Sequence, residues 1–266
     1  MKNILLLLNL SLFTFSCEKI IDLPLNETAQ KVVIEAVTSN FVGQSYVLLS
    51  RTATIYGENT FQKINDATVT ITDKNGVTTT FIEDGNGVGR YIHPTFITDE
   101  NNSYDLSVIA DGITYTATSS TQSFITIGTL FSIREENTGF GNGNSDSVDI
   151  VYMGYHDPVD EVNHYRFNVY TNGEKGNRLF IGDDKFINGQ TPTAPIFQSF
   201  NPSDTVFVEL IEIDKANYTY LYSKANVSDS GPLSATPANP VTNIEGGALG
   251  YFGAYLVDTM TVIIPN

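Results

Sequence analysis

Residues 67–83 read ATVTITDKNGVTTTFIE, and this stretch decides the fold class. Val69 and Ile71 alternate with Thr68, Thr70 and Thr72, the period of two that places one face of a strand in a core and the other in water. Asp73-Lys74-Asn75-Gly76 then supplies residues that tolerate positive φ, and 77–83 (VTTTFIE) resumes a Thr-rich run, so the whole reads as a β-hairpin. Working outward, the same grammar recurs in 31–38, 45–52, 90–93, 104–110 and 113–119, with Ala110-Asp111-Gly112 as a second hairpin turn. Seven strands in about 90 residues match the size of one β-sandwich.

The C-terminal half continues in this manner. Strands are expected at 124–135, 147–155, 163–171, 178–182, 205–213, 248–257 and 259–264, with loops at 137–145 and at 185–199, the latter holding Pro192 and Pro195. One helix interrupts them. Asp214 is a suitable N-cap, Tyr218, Leu221, Tyr222 and Ala225 fall at i, i+3, i+4 and i+7, Lys224 lies in the last turn, and Asn226 can close it. The expected fold is therefore mainly β: two β-sandwich-like units of immunoglobulin or transthyretin kind, with one short helix in the C-terminal half. The expected division is a leader at 1–16, a tether at 17–30, an N-terminal sandwich at 31–122 and a C-terminal β-rich domain at 123–266.

Composition narrows the function classes. The 266 residues include 14 Lys plus Arg against 30 Asp plus Glu, three His, one Cys and no Trp. One cysteine allows no internal disulfide and no Cys-rich zinc site. A formal charge of −16 repels phosphate backbones, so no nucleic-acid partner is expected.

The N-terminus points to the envelope. Lys2 precedes an apolar run from Ile4 to Phe15, shorter than the roughly 20 residues of a membrane span and suited to a signal peptide. Thr14-Phe15-Ser16-Cys17 resembles a bacterial lipoprotein lipobox, with Thr14 where Leu is usual. The resemblance makes Cys17 the lipidation site and the mature N-terminus. Losing Lys2 leaves 13 basic groups against 30 acidic ones, a net −17 on a body held by acyl chains rather than by charge.

Two family resemblances extend the reading. Asp66-Ala67-Thr68-Val69-Thr70-Ile71-Thr72-Asp73, Gly76, Gly89-Arg90-Tyr91 and Tyr104-Asp105-Leu106-Ser107-Val108 resemble a carboxypeptidase-regulatory-like or transthyretin-like sandwich. More specifically, Asp157-Pro158, Glu161, Asn163, Tyr165, Phe167, Asp183-Asp184 and the run NPVTNIEGGALGYFGA from Asn239 to Ala254 resemble a family of Bacteroidota outer-membrane lipoproteins, domain of unknown function 4249. KVVIEAVTSN, Leu49-Ser50-Arg51 and Asp66-Ala67 fall in the order that family shows. The resemblance implies an outer-membrane-anchored lipoprotein beside a TonB-dependent, SusC-like transporter, and it supplies no catalytic residue. The chain is too short and too rich in β structure for a SusD-like partner. Glycines 246, 247, 250 and 253 in the run suggest bulges or close backbone approach in a strand closing the second sandwich.

Chemistry-bearing clusters are few. His156, Asp157, Asp160, Glu161 and His164 invite a metal reading, yet their spacing fits no zinc signature, and Asp157-Pro158 reads as a turn. His93 precedes Pro94 without an evident partner. Asp84-Gly85-Asn86-Gly87-Val88-Gly89 begins like a calcium loop and fails at Val88. Asp183-Asp184 and Asp146 with Asp149 could offer oxygen ligands from loops. Gly139-Phe140-Gly141-Asn142-Gly143 is a flexible loop rather than a phosphate cradle. There is no GxSxG nucleophile motif. Asp146-Ser147-Val148, Asp204-Thr205-Val206 and Asp258-Thr259-Met260 resemble short O-glycosylation signals. The functional expectation is a non-enzymatic, lipid-anchored accessory or binding component of envelope transport, without catalytic, cofactor or metal residues. The alternatives are a glycan- or surface-binding adhesin using exposed tyrosines and, more remotely, a metal-dependent hydrolase using His156 and His164.

Overall fold

The computed structural model describes residues 29–54, 61–136, 147–228 and 239–266. The first seven strands are β1 (Val32–Ser39), β2 (Tyr46–Arg51), β3 (Thr68–Asp73), β4 (Thr78–Glu83), β5 (Arg90–Ile92), β6 (Ser103–Ala110) and β7 (Ile113–Ser120). The second half adds β8 (Ile127–Glu136), β9 (Ser147–Tyr155), β10 (His164–Thr171), β11 (Glu174–Lys175), β12 (Phe180–Asp183), β13 (Thr193–Phe200) and β14 (Thr205–Ile213). Helix α1 (Lys215–Ser228) and β15 (Leu249–Ile263) follow. The protein is mainly β, with two sheets and one helix among the described residues.

The hairpin that opened the sequence reading forms as expected. Val69 and Ile71 are fully buried, and β3 pairs antiparallel with β4. Asp73 holds the turn, its Oδ1 accepting from Asn75 N at 2.9 Å and Val77 N at 2.8 Å, while Gly76 adopts φ 82°. The bond from Val77 is the main cause that lowers the Asp73 carboxyl below its ordinary pKa.

A twelve-stranded sheet runs in the order β11-β10-β14-β15-β1-β2-β5-β4-β3-β6-β7, with β12 also paired to β10; β13-β9-β8 forms a separate three-stranded sheet. Three readings need correction. Residues 185–199 are not all loop, because Thr193–Phe200 is a strand; Pro195 fits there since β13 is an edge and needs no donor on its outer side. The short β11 was also unforeseen. Residues 248–257 and 259–264 are one strand, not two, and it pairs with both halves of the chain. Its first half, Leu249 to Tyr255, pairs parallel with β1, and its second half, Leu256 to Ile263, pairs antiparallel with β14.

Strand β15 thereby contributes to two cores on one face of the large sheet. Phe252 and Ala254 join Ile34, Val47, Ile71 and Leu106 in the first. Beyond them, Tyr165, Val169, Val208 and Leu210 pack with Val151 and Met153 of the small sheet in the second. The large sheet folds over so that β7 returns to β15, where Thr116 bridges Glu245 and Ala254 N donates to Ser119 Oγ at 2.9 Å. The other face of the sheet carries α1, whose Tyr220 and Leu221 pack with Ile211, Ile213, Tyr255 and Val257.

Candidate functional site

The alternation of β10 builds the site. Tyr165, Phe167 and Val169 face the second core, so Arg166, Asn168 and Tyr170 emerge on the helix-bearing face. Register places Asn168 opposite Glu209 and Tyr170 opposite Phe207 on β14. Glu209 and Phe207 in turn lie opposite Thr259 and Thr261 of β15. The result is an open cleft of about 620 Å³, with Tyr46, Tyr251 and Tyr255 along one side and Lys175 of β11 at its rim. A second cavity of about 660 Å³ adjoins it under the helix, sharing Arg166, Asn168 and Lys175 and adding Arg178 and Lys224. Four of the 14 basic residues therefore converge here in a strongly acidic chain.

Electrostatics in the cleft are unbalanced. The Arg166 Nε is buried and has no hydrogen-bond partner. The ion pairs Arg51–Asp111, Arg90–Asp84 and Arg134–Asp149 lie elsewhere. Glu209 accepts from Asn168 Nδ2 at 2.7 Å and from the Tyr170 hydroxyl at 3.2 Å. Burial first, and then the Arg166 charge, push the Lys175 ammonium below its ordinary pKa, against the pull of Glu209. Burial raises the phenols of Tyr46, Tyr170, Tyr251 and Tyr255, and the Arg166 charge opposes that rise at each. Rings supply the remaining lining: Tyr170 meets Phe207 edge-to-face at 5.4 Å, and Lys175 Nζ sits 5.6 Å from the Tyr170 centroid.

Helix α1 is set by Asp214, whose Oδ1 accepts from Asn217 N at 2.8 Å, as the expected N-cap does. Its buried face is rotated from the expected one: Asn217, Tyr220 and Leu221 are buried, whereas Tyr222 is 54% exposed. The cause is polar and so leaves no trace in apolar spacing. Asn217 Nδ2 donates to Phe252 O at 2.9 Å, and its Oδ1 accepts from the Tyr255 hydroxyl at 3.3 Å. Gly253 makes room for this, since a Cβ there would lie 2.4 Å from the Tyr255 ring and 2.7 Å from Asn217 Oδ1.

The carboxylates singled out in the sequence are mostly engaged by the protein itself. Asp157 is fully buried, accepting from the Tyr165 hydroxyl and from Gly189 N. Glu161 accepts from Ser123, and Asp184 accepts from Asn163 N at 2.9 Å. His156 contacts Thr191, and His164 packs on the Tyr218 ring at 4.7 Å, where burial lowers its pKa. Among the described residues no group of three or more His, Cys, Asp or Glu is placed to hold a metal. His93 lies 6.0 Å from the Phe81 ring. Asp84 caps Asn86 N at 3.0 Å, and Asp149 pairs with Arg134 at 2.9 Å. Asp204 holds a turn through Asn201 N and Asn172 Nδ2, and Asp258 accepts from Ile127 N at 2.7 Å. Asp160 is exposed. Cys17, Asp146 and residues 139–143 lie outside the described residues.

Two features escaped the sequence reading. One is the Arg166–Lys175 cleft. Its signal was present in residues 164–170, where His, Arg, Asn and Tyr alternate with Tyr, Phe and Val. The other is Glu212, only 2% exposed, with Oε1 unpartnered. Burial, with smaller contributions from Asp214 and Glu161, pushes its carboxyl up to about 8 despite a bond from Gln122 N. It lines a cavity of about 210 Å³ with His164, Asp214 and Lys215.

Two solved structures show a distant likeness. A two-domain fibronectin type-III segment from chicken tenascin shares 10% identity at a TM-score of 0.25, covering 91% of this chain and 99% of its own. A DUF3823 family protein from Bacteroides uniformis shares 11% at a TM-score of 0.27, covering 89% and 100%. No curated protein sequence matches. Residues 18–261 match the family described as Domain of unknown function (DUF4249), a range that takes in the cleft and most of β15; the chain belongs to that family.

Proposed function

We propose that this protein is a non-enzymatic lipoprotein of the bacterial outer membrane, anchored through Cys17 and acting as an accessory or binding component of a TonB-dependent, SusC-like transport system. The observation that carries the proposal is the sole cysteine placed directly after an apolar run and a small residue, where lipoprotein processing requires it. Two or more acyl chains give stable anchoring without help from charge, which suits a body as acidic as this one. Membership of the DUF4249 family and the open cleft support the binding role. Palmitate labelling and membrane fractionation test the anchor: Cys17→Ser should lose label and leave the membrane, and unchanged fractionation would refute it. Pull-down from solubilised outer membrane tests the transport role and should recover a TonB-dependent transporter.

A second reading, a glycan- or surface-binding adhesin, is favoured by one observation. Tyr218 and Tyr222 stack at 6.1 Å and 22° on α1, with Tyr222 exposed, which offers a platform for a sugar ring. Glycan-array binding lost in Tyr222→Ala would select this reading, and a blank array would dismiss it.

A further inference from the structure

We propose that the cleft on the helix-bearing face binds a ring-bearing organic oxyanion, its carboxylate or phosphate held by Arg166 and Lys175 and its ring resting against Tyr170, Phe207 and Tyr251.

Charge leads to this assignment. An arginine nitrogen removed from water and given no acceptor costs free energy that some partner normally offsets. The chain holds 30 acidic side chains, yet Arg166 forms no ion pair among the described residues, and Glu209, the acid lining the cleft, is already bonded to Asn168 and Tyr170. Lys175 faces the same space, where burial first and the Arg166 charge second lower its pKa from the ordinary lysine value. An oxyanion between them would satisfy the guanidinium and offset the repulsion between the two cations. Arg178 and Lys224 on the adjoining cavity add to the positive field.

Shape and lining select the rest of the ligand. A cleft of about 620 Å³ falls within the roughly 300–1,000 Å³ of small-molecule sites. Its lining includes Tyr46, Tyr170, Phe207 and Tyr251, and Tyr170 and Phe207 pack edge-to-face, an arrangement that a further aromatic ring can extend. A bare inorganic anion would use the cations and leave the rings idle. The site does not depend on the anchor, because Cys17→Ser should bind as the parent chain does; failure here and failure of the anchoring proposal are thus separable.

The test uses the full chain in neutral detergent, titrated calorimetrically with phenyl phosphate, benzoate, inorganic phosphate and benzyl alcohol. Tyrosine emission, free of tryptophan in this chain, gives a second readout. Phenyl phosphate or benzoate should bind at least about tenfold more tightly than inorganic phosphate or benzyl alcohol, and added salt should weaken the binding. Whichever of the two binds better identifies the oxyanion. Arg166→Gln and Lys175→Gln should each weaken binding about tenfold or more. Lys175 lies on a two-residue edge strand, so its variant keeps the test valid if Arg166→Gln fails to fold. The proposal is overturned if neither aromatic anion binds below roughly 10 mM, if inorganic phosphate binds as tightly as phenyl phosphate, or if Lys175→Gln binds unchanged.

Discussion

The carboxamide of Asn243 pairs with both backbone polar groups of Phe252: Phe252 N donates to Asn243 Oδ1 at 3.0 Å, and Asn243 Nδ2 donates to Phe252 O at 2.8 Å. A side chain thus stands in for a neighbouring strand along the part of β15 that β14 does not reach. Asn40 makes the equivalent pair with Val257 on the opposite edge, at 3.0 and 2.9 Å, where β1 has ended. Between them the two asparagines complete a strand whose partners are staggered to either side.

Asn243→Ala removes the partner of a buried N–H and one of two donors to the Phe252 carbonyl. It should lower stability by about 1–3 kcal/mol, the cost of leaving a buried donor unsatisfied. Urea unfolding measures this, and a midpoint equal to that of the parent would contradict the role assigned to the carboxamide.

Gly250 has φ 106°, and a Cβ there would lie 1.9 Å from Ile34 O on β1. Gly250→Ala should cost more than about 3 kcal/mol or prevent folding, since both the conformation and the parallel pairing are violated. Gly247→Ala shares the positive φ but meets open space, so roughly 1–2 kcal/mol is expected. Thermal denaturation of the two variants side by side gives the comparison.

Asp214 caps α1 and also accepts from Ser119 Oγ at 2.6 Å and Ser120 N at 3.2 Å. Asp214→Ala should therefore cost roughly 2–3 kcal/mol, more than a cap alone. Hydrogen exchange should quicken in the first turn of α1 and at the end of β7 together; quickening confined to the helix would mean that Asp214 does not join the two.

Glu212 ties stability to pH. Its carboxyl is raised to about 8 in the folded chain from an ordinary value of 4.5, so between these the folded state holds a proton that the unfolded state releases. That contribution is fully present below the unfolded value and is lost as pH rises to about 8. The melting temperature should fall across this window, and Glu212→Gln, which mimics the neutral acid, should flatten the fall and gain most near pH 8. Parallel curves for the two proteins would show that another group sets the dependence.

Local pattern carried most of the fold. The alternation in 67–73, the Asp-Gly and Asn-Gly turns and the Asp214 cap are short-range signals, and each sits within about two residues of its expected place. What failed to show was decided by distant neighbours. Pro195 argued for a loop until β9 gave it an edge to occupy. The rotation of α1 follows from Asn217 reaching Phe252, which apolar spacing cannot encode. The cleft joins Arg166 to Lys175 and Tyr251 through pairings of β10 with β11 and β14, and of β14 with β15, so its members are scattered along the chain even though the polar stripe of β10 was visible.

The placement of β15 also sets the order in which the molecule can be completed. Asn40 and Val257 are 217 positions apart in the chain and directly bonded, and the core around Ile34 and Val47 includes Phe252 and Ala254. An emerging chain cannot seal its N-terminal half until the last strand arrives, and closing so long a loop makes folding slow.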